Sequence, residues 1–291
     1  MSERSTDEAN REGVGAVEPA ADSLGEILRT ILYAVLIAFA FRTLLFQPFS
    51  IPSGSMKPTL LINDYLFVSK YSYGYSKYAV PYGNMLPDSL FGGRILSAEP
   101  ERGDVIVFRN PANEDQDYIK RLVGLPGDTI QMQRGVLHVN GAPAPQNRIE
   151  NFVERRDPRH TQHCLDRGVL RRLVLDAETR NAVLRDNAER DCIKIQMTET
   201  LPGGVAHPVL DADGGGGKYD NTRRFTVPEG HYFFVGDNRD NSLDSRAPIG
   251  GIGFVPRQNL IGRAEMILLS AEGPYWQFWS WRSDRFFKAI K

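Results

Sequence analysis

Apolar residues predominate from Ile27 to Phe46, and beyond Leu60 they recur in short runs broken by Gly and Pro. The first pattern has no polar face, and at about 1.5 Å per residue it predicts a helix roughly 30 Å long, enough to cross a bilayer. Arg29 and Arg42 flank its centre, where long basic side chains reach headgroups. A helix buried in a soluble domain would carry a polar face. A cleavable leader would end in an Ala-x-Ala site after its apolar core; Ala38-Phe39-Ala40 lies within that core, and residues 41–47 before the Pro-rich stretch hold no such site. A retained transmembrane helix is therefore expected over residues 24–46, behind a tail (1–23) whose composition is that of a disordered segment.

The second pattern predicts strands at 65–68, 105–108, 118–123, 129–132, 136–139 and 231–235, hence a mainly β body of antiparallel sheets. That body is expected to comprise residues 47–141 and 225–272. Residues 71–96 lack a helical period and read as an extended hairpin or flap, either packed or lying on a membrane surface. Residues 142–224 turn polar, include an Arg-rich stretch at 155–172, and read as an inserted smaller β-rich lobe. Residues 273–291 are Trp-rich and basic, a composition that suits a lipid interface or a core-and-rim role.

Composition narrows the function without naming it. The chain has 291 residues, 41% of them hydrophobic, which allows one large or two modest folded domains. A formal net charge of −1 and the lack of a Lys/Arg block exclude a nucleic-acid partner. Cys164 and Cys192 do not make a structural zinc site, and remain either a disulfide or two buried thiols. Lys218 follows four glycines, but Tyr219 stands where a phosphate-binding loop needs Ser or Thr. Asp211 and Asp213 lack the downstream glutamate of a calcium loop. No metal and no cofactor are expected.

Candidate chemistry begins at Pro48-Phe-Ser-Ile-Pro-Ser-Gly-Ser-Met-Lys-Pro-Thr-Leu60. Pro52 and Pro58 push Ile51 and Lys57 toward extended backbone, while Gly54 permits a tight turn between Ser53 and Ser55. The stretch is either a stiff linker or the seat of a nucleophilic serine. None of His138, His160, His163, His207 and His231 sits in a Gly-flanked turn beside a serine, and there is no Gly-x-Ser-x-Gly elbow. The alternative base is a lysine stripped of its proton by burial. Lys120, in Asp117-Tyr-Ile-Lys-Arg-Leu-Val-Gly-Leu-Pro-Gly-Asp128, shares a strand face with Tyr118 and Leu122 and points inward or snorkels at an edge. Lys57 competes by proximity to Ser55 but lacks an apolar setting. In Gly236-Asp-Asn-Arg-Asp-Asn-Ser-Leu-Asp-Ser-Arg246, arginines interleave with Asp237, Asp240 and Asp244, which favours a salt-bridged loop over a metal site. Ser242 in that loop is suited to holding a neutral lysine by hydrogen bonding.

These segments, with Gly103-Asp-Val-Ile-Val-Phe108 and in this order after an apolar helix, resemble the bacterial type I signal peptidases. The resemblance implies a Ser/Lys dyad, with Ser55 as nucleophile and Lys120 as general base. It implies Ser53 and the Ser55 N–H as oxyanion donors, Ser242 orienting Lys120, and supporting pairs Asp237 with Arg121 and Asp244 with Arg246. Phe49, Ile51, Met56, Leu60, Tyr118 and Ile119 would line shallow pockets for small residues. Expected partners are signal-peptide-bearing preproteins and membrane lipid, with the chain monomeric. The chain departs from the best-known enterobacterial pattern in having one span and widely separated cysteines. The expected location is the bacterial inner membrane, single pass, with a cytoplasmic N-terminus and the catalytic body outside. Two other readings share parts of the pattern, a Ser/Lys self-cleaving repressor and a single-pass envelope protein without catalysis.

Overall fold

The computed structural model describes residues 24–81, 83–85, 87, 93–155, 164 and 191–291. The expected disordered tail at 1–23, most of the Arg-rich stretch, His160 and His163 lie outside the described residues. The apolar run forms α1 (Leu24–Leu44), none of whose side chains is buried. Its length and mean hydropathy of 1.9 suit a membrane span. The helix ends two residues before the expected boundary because Phe46 already opens the next strand.

That strand, β1 (Phe46–Ser50), is followed by β2 (Asp64–Ser69), β3 (Val105–Arg109) and β4 (Asp117–Gly124). Next come β5 (Thr129–Gln133), β6 (Val136–Val139), β7 (Ala142–Pro143), β8 (Gln146–Arg148) and β9 (Phe152–Arg155). The chain continues with β10 (Asp191–Thr200), β11 (Ala206–Asp211), β12 (Phe225–Thr226) and β13 (His231–Val235). It closes with β14 (Val255–Pro256), β15 (Leu260–Ser270) and β16 (Lys288–Ala289). Every strand run read from the sequence is present, and all pairings between strands are antiparallel.

The main sheet has the order β1-β2-β15-β3-β4-β13-β14, with β16 added to β15. β3 is buried on both faces: Val105 and Val107 enter one core cluster, Ile106 and Phe108 another. A strand covered on both sides reads as a continuous apolar run, which is how Val105-Ile-Val-Phe108 appears in the sequence. β15 lies between β2 and β3 and lacks clean alternation because its pairing shifts register against both neighbours, so its period was not legible. A second sheet orders β12-β5-β6-β7 over its own core of Val123, Ile130, Leu137 and Phe233. A third joins β11, β10, β8 and β9. Ala142 and Pro143 pair with β6 and so belong to the second sheet.

Residues 71–96 close on an antiparallel bridge between Tyr75 and Ile95. Tyr73 is 2% exposed and donates its hydroxyl to Asp104 at 2.7 Å, and Arg94 donates to the carbonyls of Tyr73, Gly74 and Leu260. The base of this segment is packed into the body. Cys164 and Cys192 are joined in a disulfide, which settles the open choice between bridge and free thiols.

Candidate active site

The loop between β1 and β2 carries the Pro-rich stretch. Its ends are tied together, Ile51 N–H to the Asp64 carbonyl and Asn63 N–H to the Ile51 carbonyl, both at 2.9 Å. Lys57 lies within the turns of residues 55–59, its N–H reaching the Gly54 carbonyl at 3.2 Å.

β1 and β4 are separated in the main sheet by β2, β15 and β3, yet residues from both line one cleft of about 480 Å³. The sheet therefore curls until the loop after β1 faces the middle of β4. There Lys120 Nζ lies 2.6 Å from Ser55 Oγ and donates to the Ile119 carbonyl at 2.9 Å. Lys120 is 3% exposed, and burial pushes its amine down to about 8, against the opposing pull of Asp244 and Asp237. An amine so poised is neutral in roughly a tenth of molecules at pH 7 and in about half at pH 8, far more than an ordinary lysine, and is placed to take the serine proton. Ser53 Oγ lies 3.5 Å from Ser55 Oγ.

The loop after β13 comes up behind this pair. Asp237 receives Arg121 Nε and Nη2 at 2.8 and 2.7 Å and the Thr59 hydroxyl at 2.5 Å. Burial would raise the Asp237 carboxyl, but Arg121 outweighs it and holds the group below the usual carboxylate range. Asp244 likewise takes Arg246 Nε and Nη2, both at 2.9 Å, and the Gly236 N–H at 3.0 Å. Ser242 donates its hydroxyl to Asp244 at 2.7 Å. Gly236 is required by close approach: a Cβ there would sit 2.6 Å from the Ser55 carbonyl oxygen and collide with Ser242.

The pocket expectations divide. Phe49, Ile51, Tyr118 and Ile119 line the cleft. Met56 and Leu60 do not; they are 1% and 0% exposed and pack with Leu66, Val68 and Ile267 beneath the serine loop. An apolar residue in a short loop reads alike whether it faces substrate or core, and here the core claimed them. Val107, Gln116, Asn241 and Leu243 also line the cleft and carried no signal beyond their neighbourhood in the motifs. Asn238 was likewise passed over. Its N–H meets the Ser55 carbonyl at 3.1 Å and its side-chain amide donates to the Gly54 carbonyl at 2.8 Å, so it grips the serine turn at two points.

Away from the cleft, Asp211, Asp220 and Asp240 bring carboxylate oxygens within 4.8 Å of one another. Burial, then the charge of Asp240, pushes Asp211 up to about 6. Backbone N–H groups of Ala212, Asp213, Gly214 and Gly217 already serve these carboxylates.

A curled antiparallel body presenting a serine hydroxyl to a buried amine has the parts of a serine hydrolase that works without histidine. The family profile described as "Signal peptidase, peptidase S26" matches residues 24–269. Signal peptidase I of Rickettsia typhi is 38% identical over 251 residues, covering 84% of this chain and 80% of its own. That of Rickettsia prowazekii is 35% identical over 277 residues, covering 92% and 87%. A solved signal peptidase I from Enterococcus faecalis shares 26% identity over 57% of this chain and 97% of its own, at a TM-score of 0.27. The chain belongs to the signal peptidase family, peptidase S26, and is a serine endopeptidase that removes signal peptides. The repressor-like and non-catalytic readings are set aside by the same match.

Proposed function

We propose that Ser55 is the nucleophile and Lys120 the general base of this endopeptidase, cutting after small residues in an Ala-x-Ala context. The observation that carries the reading is the 2.6 Å approach of Lys120 Nζ to Ser55 Oγ at the floor of an apolar cleft. Neutral Lys120 takes the proton as Ser55 Oγ bonds to the scissile carbonyl carbon. The tetrahedral oxyanion is met by the Ser55 N–H and the Ser53 hydroxyl. Collapse expels the amine of the mature protein, which takes the proton from Lys120, and leaves an acyl-enzyme. Water, deprotonated by the same lysine, then releases the leader. Phe49, Ile51, Tyr118, Ile119 and Leu243 crowd the cleft, so methyl-sized side chains fit there better than branched ones. Asp237 with Arg121, and Asp244 with Arg246 and Ser242, are supports that keep the loop behind Lys120 rigid.

The enzyme is read as a monomer held in the bacterial inner membrane by α1, with a cytoplasmic N-terminus and the catalytic body outside. Exposed Tyr275, Trp276, Phe278 and Trp279 are suited to lipid contact. Incubating the detergent-solubilised wild type, Ser55→Ala and Lys120→Ala with a preprotein, then sequencing the product's N-terminus, tests the assignment. Cleavage after an Ala-x-Ala segment by wild type alone is expected; undiminished cleavage by Lys120→Ala would sink the dyad.

A further inference from the structure

Lys57 stands two places from Ser55, but its ammonium turns away. It is buried and ion-paired with Glu154 on β9, and Glu154 also holds Lys194 of β10 at 3.2 Å. The Lys57 stem runs back beneath the serine turn: a Cβ built on Gly54 would lie 3.2 Å from Lys57 Cε and 3.4 Å from Cδ. The methylenes of Lys57 therefore lie on the side of Gly54 where a Cβ would stand, as a floor for the turn. Asn238 grips the Gly54 carbonyl from another direction, at 2.8 Å. The Gly54 C=O and the Ser55 N–H belong to one peptide plane and point opposite ways. Holding that carbonyl and flooring the plane fixes where the Ser55 N–H aims.

We infer that Glu154 is a positioning residue for the oxyanion-binding turn: by holding the Lys57 ammonium it keeps the Lys57 stem under Gly54 and so keeps the Ser55 N–H directed into the cleft. This rests on the role proposed for Ser55 and gives the polar insertion a task. Glu154 stands opposite Cys192 in the β9–β10 register, and Cys192 is bonded to Cys164, so the carboxylate is delivered from a strand paired to one that a disulfide cross-links. Lys57, which the sequence offers as a rival base, becomes a structural tether. Without Glu154, Lys57 and Lys194 are two buried cations that have lost their shared carboxylate, and each must seek water.

An oxyanion contact forms only as charge develops, so its misalignment lowers kcat and leaves KM nearly unchanged. In the full-length chain in detergent, Glu154→Gln and Lys57→Met are each expected to lower kcat about tenfold, less than the 10²- to 10³-fold typical of losing a donor outright. The two residues act as one device, so the double variant is expected to be no slower than the slower single variant. The pH at which activity rises, set by Lys120, stays at its wild-type position in all three. A near-normal kcat in Glu154→Gln, a multiplied loss of about a hundredfold in the double variant, or a displaced pH midpoint each overturns the inference. Should Glu154→Gln not fold, Glu154→Asp, which keeps the charge but shortens the reach, enters the same comparison. Wild type and Ser55→Ala run alongside: absence of Ser55-dependent cleavage in wild type refutes the proposed function, whereas its presence with an unimpaired Glu154 variant refutes this inference alone.

Discussion

Lys120 carries the chemistry because of where its methylenes end. On β4, opposite Ile106 of β3, the residue is 3% exposed, and the ammonium form loses hydration that neighbouring carboxylates only partly replace. A lysine lowered from 10.5 to about 8 binds fewer protons folded than unfolded between those values. Its contribution to stability therefore improves as pH rises from about 8 toward 10.5, and below about 8 the buried cation is a constant cost. Activity follows the free amine. We expect kcat/KM to climb with pH through an apparent midpoint near 8, measurable in a pH profile with a preprotein substrate. A profile flat from pH 6 to about 9 would remove Lys120 from the role of base. The strand and the face that Lys120 shares with Tyr118 and Leu122 were readable from Tyr118-Ile-Lys-Arg-Leu-Val, since period-two patterning is local; whether Lys120 pointed inward was decided by the packing. The roles of Met56 and Leu60 were not, because facing a cleft or a core depends on what lies across from a side chain. The same holds for Asn238, whose two contacts run to a loop remote in sequence.

Among the elements, the serine loop depends on the end of the chain in a way that motif reading does not reveal. Arg285 donates to the Thr59 carbonyl at 3.0 Å and to Asp64 Oδ2 at 2.6 Å, while Ser270 at the end of β15 gives its hydroxyl to Asp64 Oδ1 at 2.5 Å. Asp64 is 0% exposed, so these donors take the place of water around its carboxylate. Removing one partner of a buried ion pair typically costs about 3 to 5 kcal/mol because the survivor is left uncompensated. Arg285→Met is accordingly expected to lower stability by about that amount in denaturant unfolding, and to loosen the loop that bears Ser55. An unfolding midpoint equal to wild type would show that Asp64 is adequately held by Ser270, by the Leu61 N–H at 2.8 Å and by Arg282, whose Nη2 lies 3.7 Å from Oδ1. The basic, aromatic end was read from composition as a lipid surface or a core-and-rim segment. Within it Arg285 is buried, while Trp276 and Trp279 stay exposed.

For the molecule as a whole, the chain divides into one unit of residues 1–40 and another of Phe41–Lys291. All the clusters of buried apolar residues described above fall in the second unit. Deleting residues 1–40 is therefore expected to leave a folded body whose thermal midpoint matches that of the full chain within a few degrees, as circular dichroism would register. A collapse of the midpoint would mean that α1 supports the body. Strand runs, the apolar helix and the order of the motifs were legible because each rests on local periodicity, local turn residues or length, and these need no partner. Pairing order was not, nor was the curl that brings the loop after β1 to the middle of β4. Those arise from the registers and bulges of β15 and from cores shared by distant segments, where a contact's worth depends on the other side of the contact. The sequence therefore named a serine and a lysine as partners, while the curled sheet set them 2.6 Å apart and put the Lys57 stem, held by Glu154, beneath the serine turn.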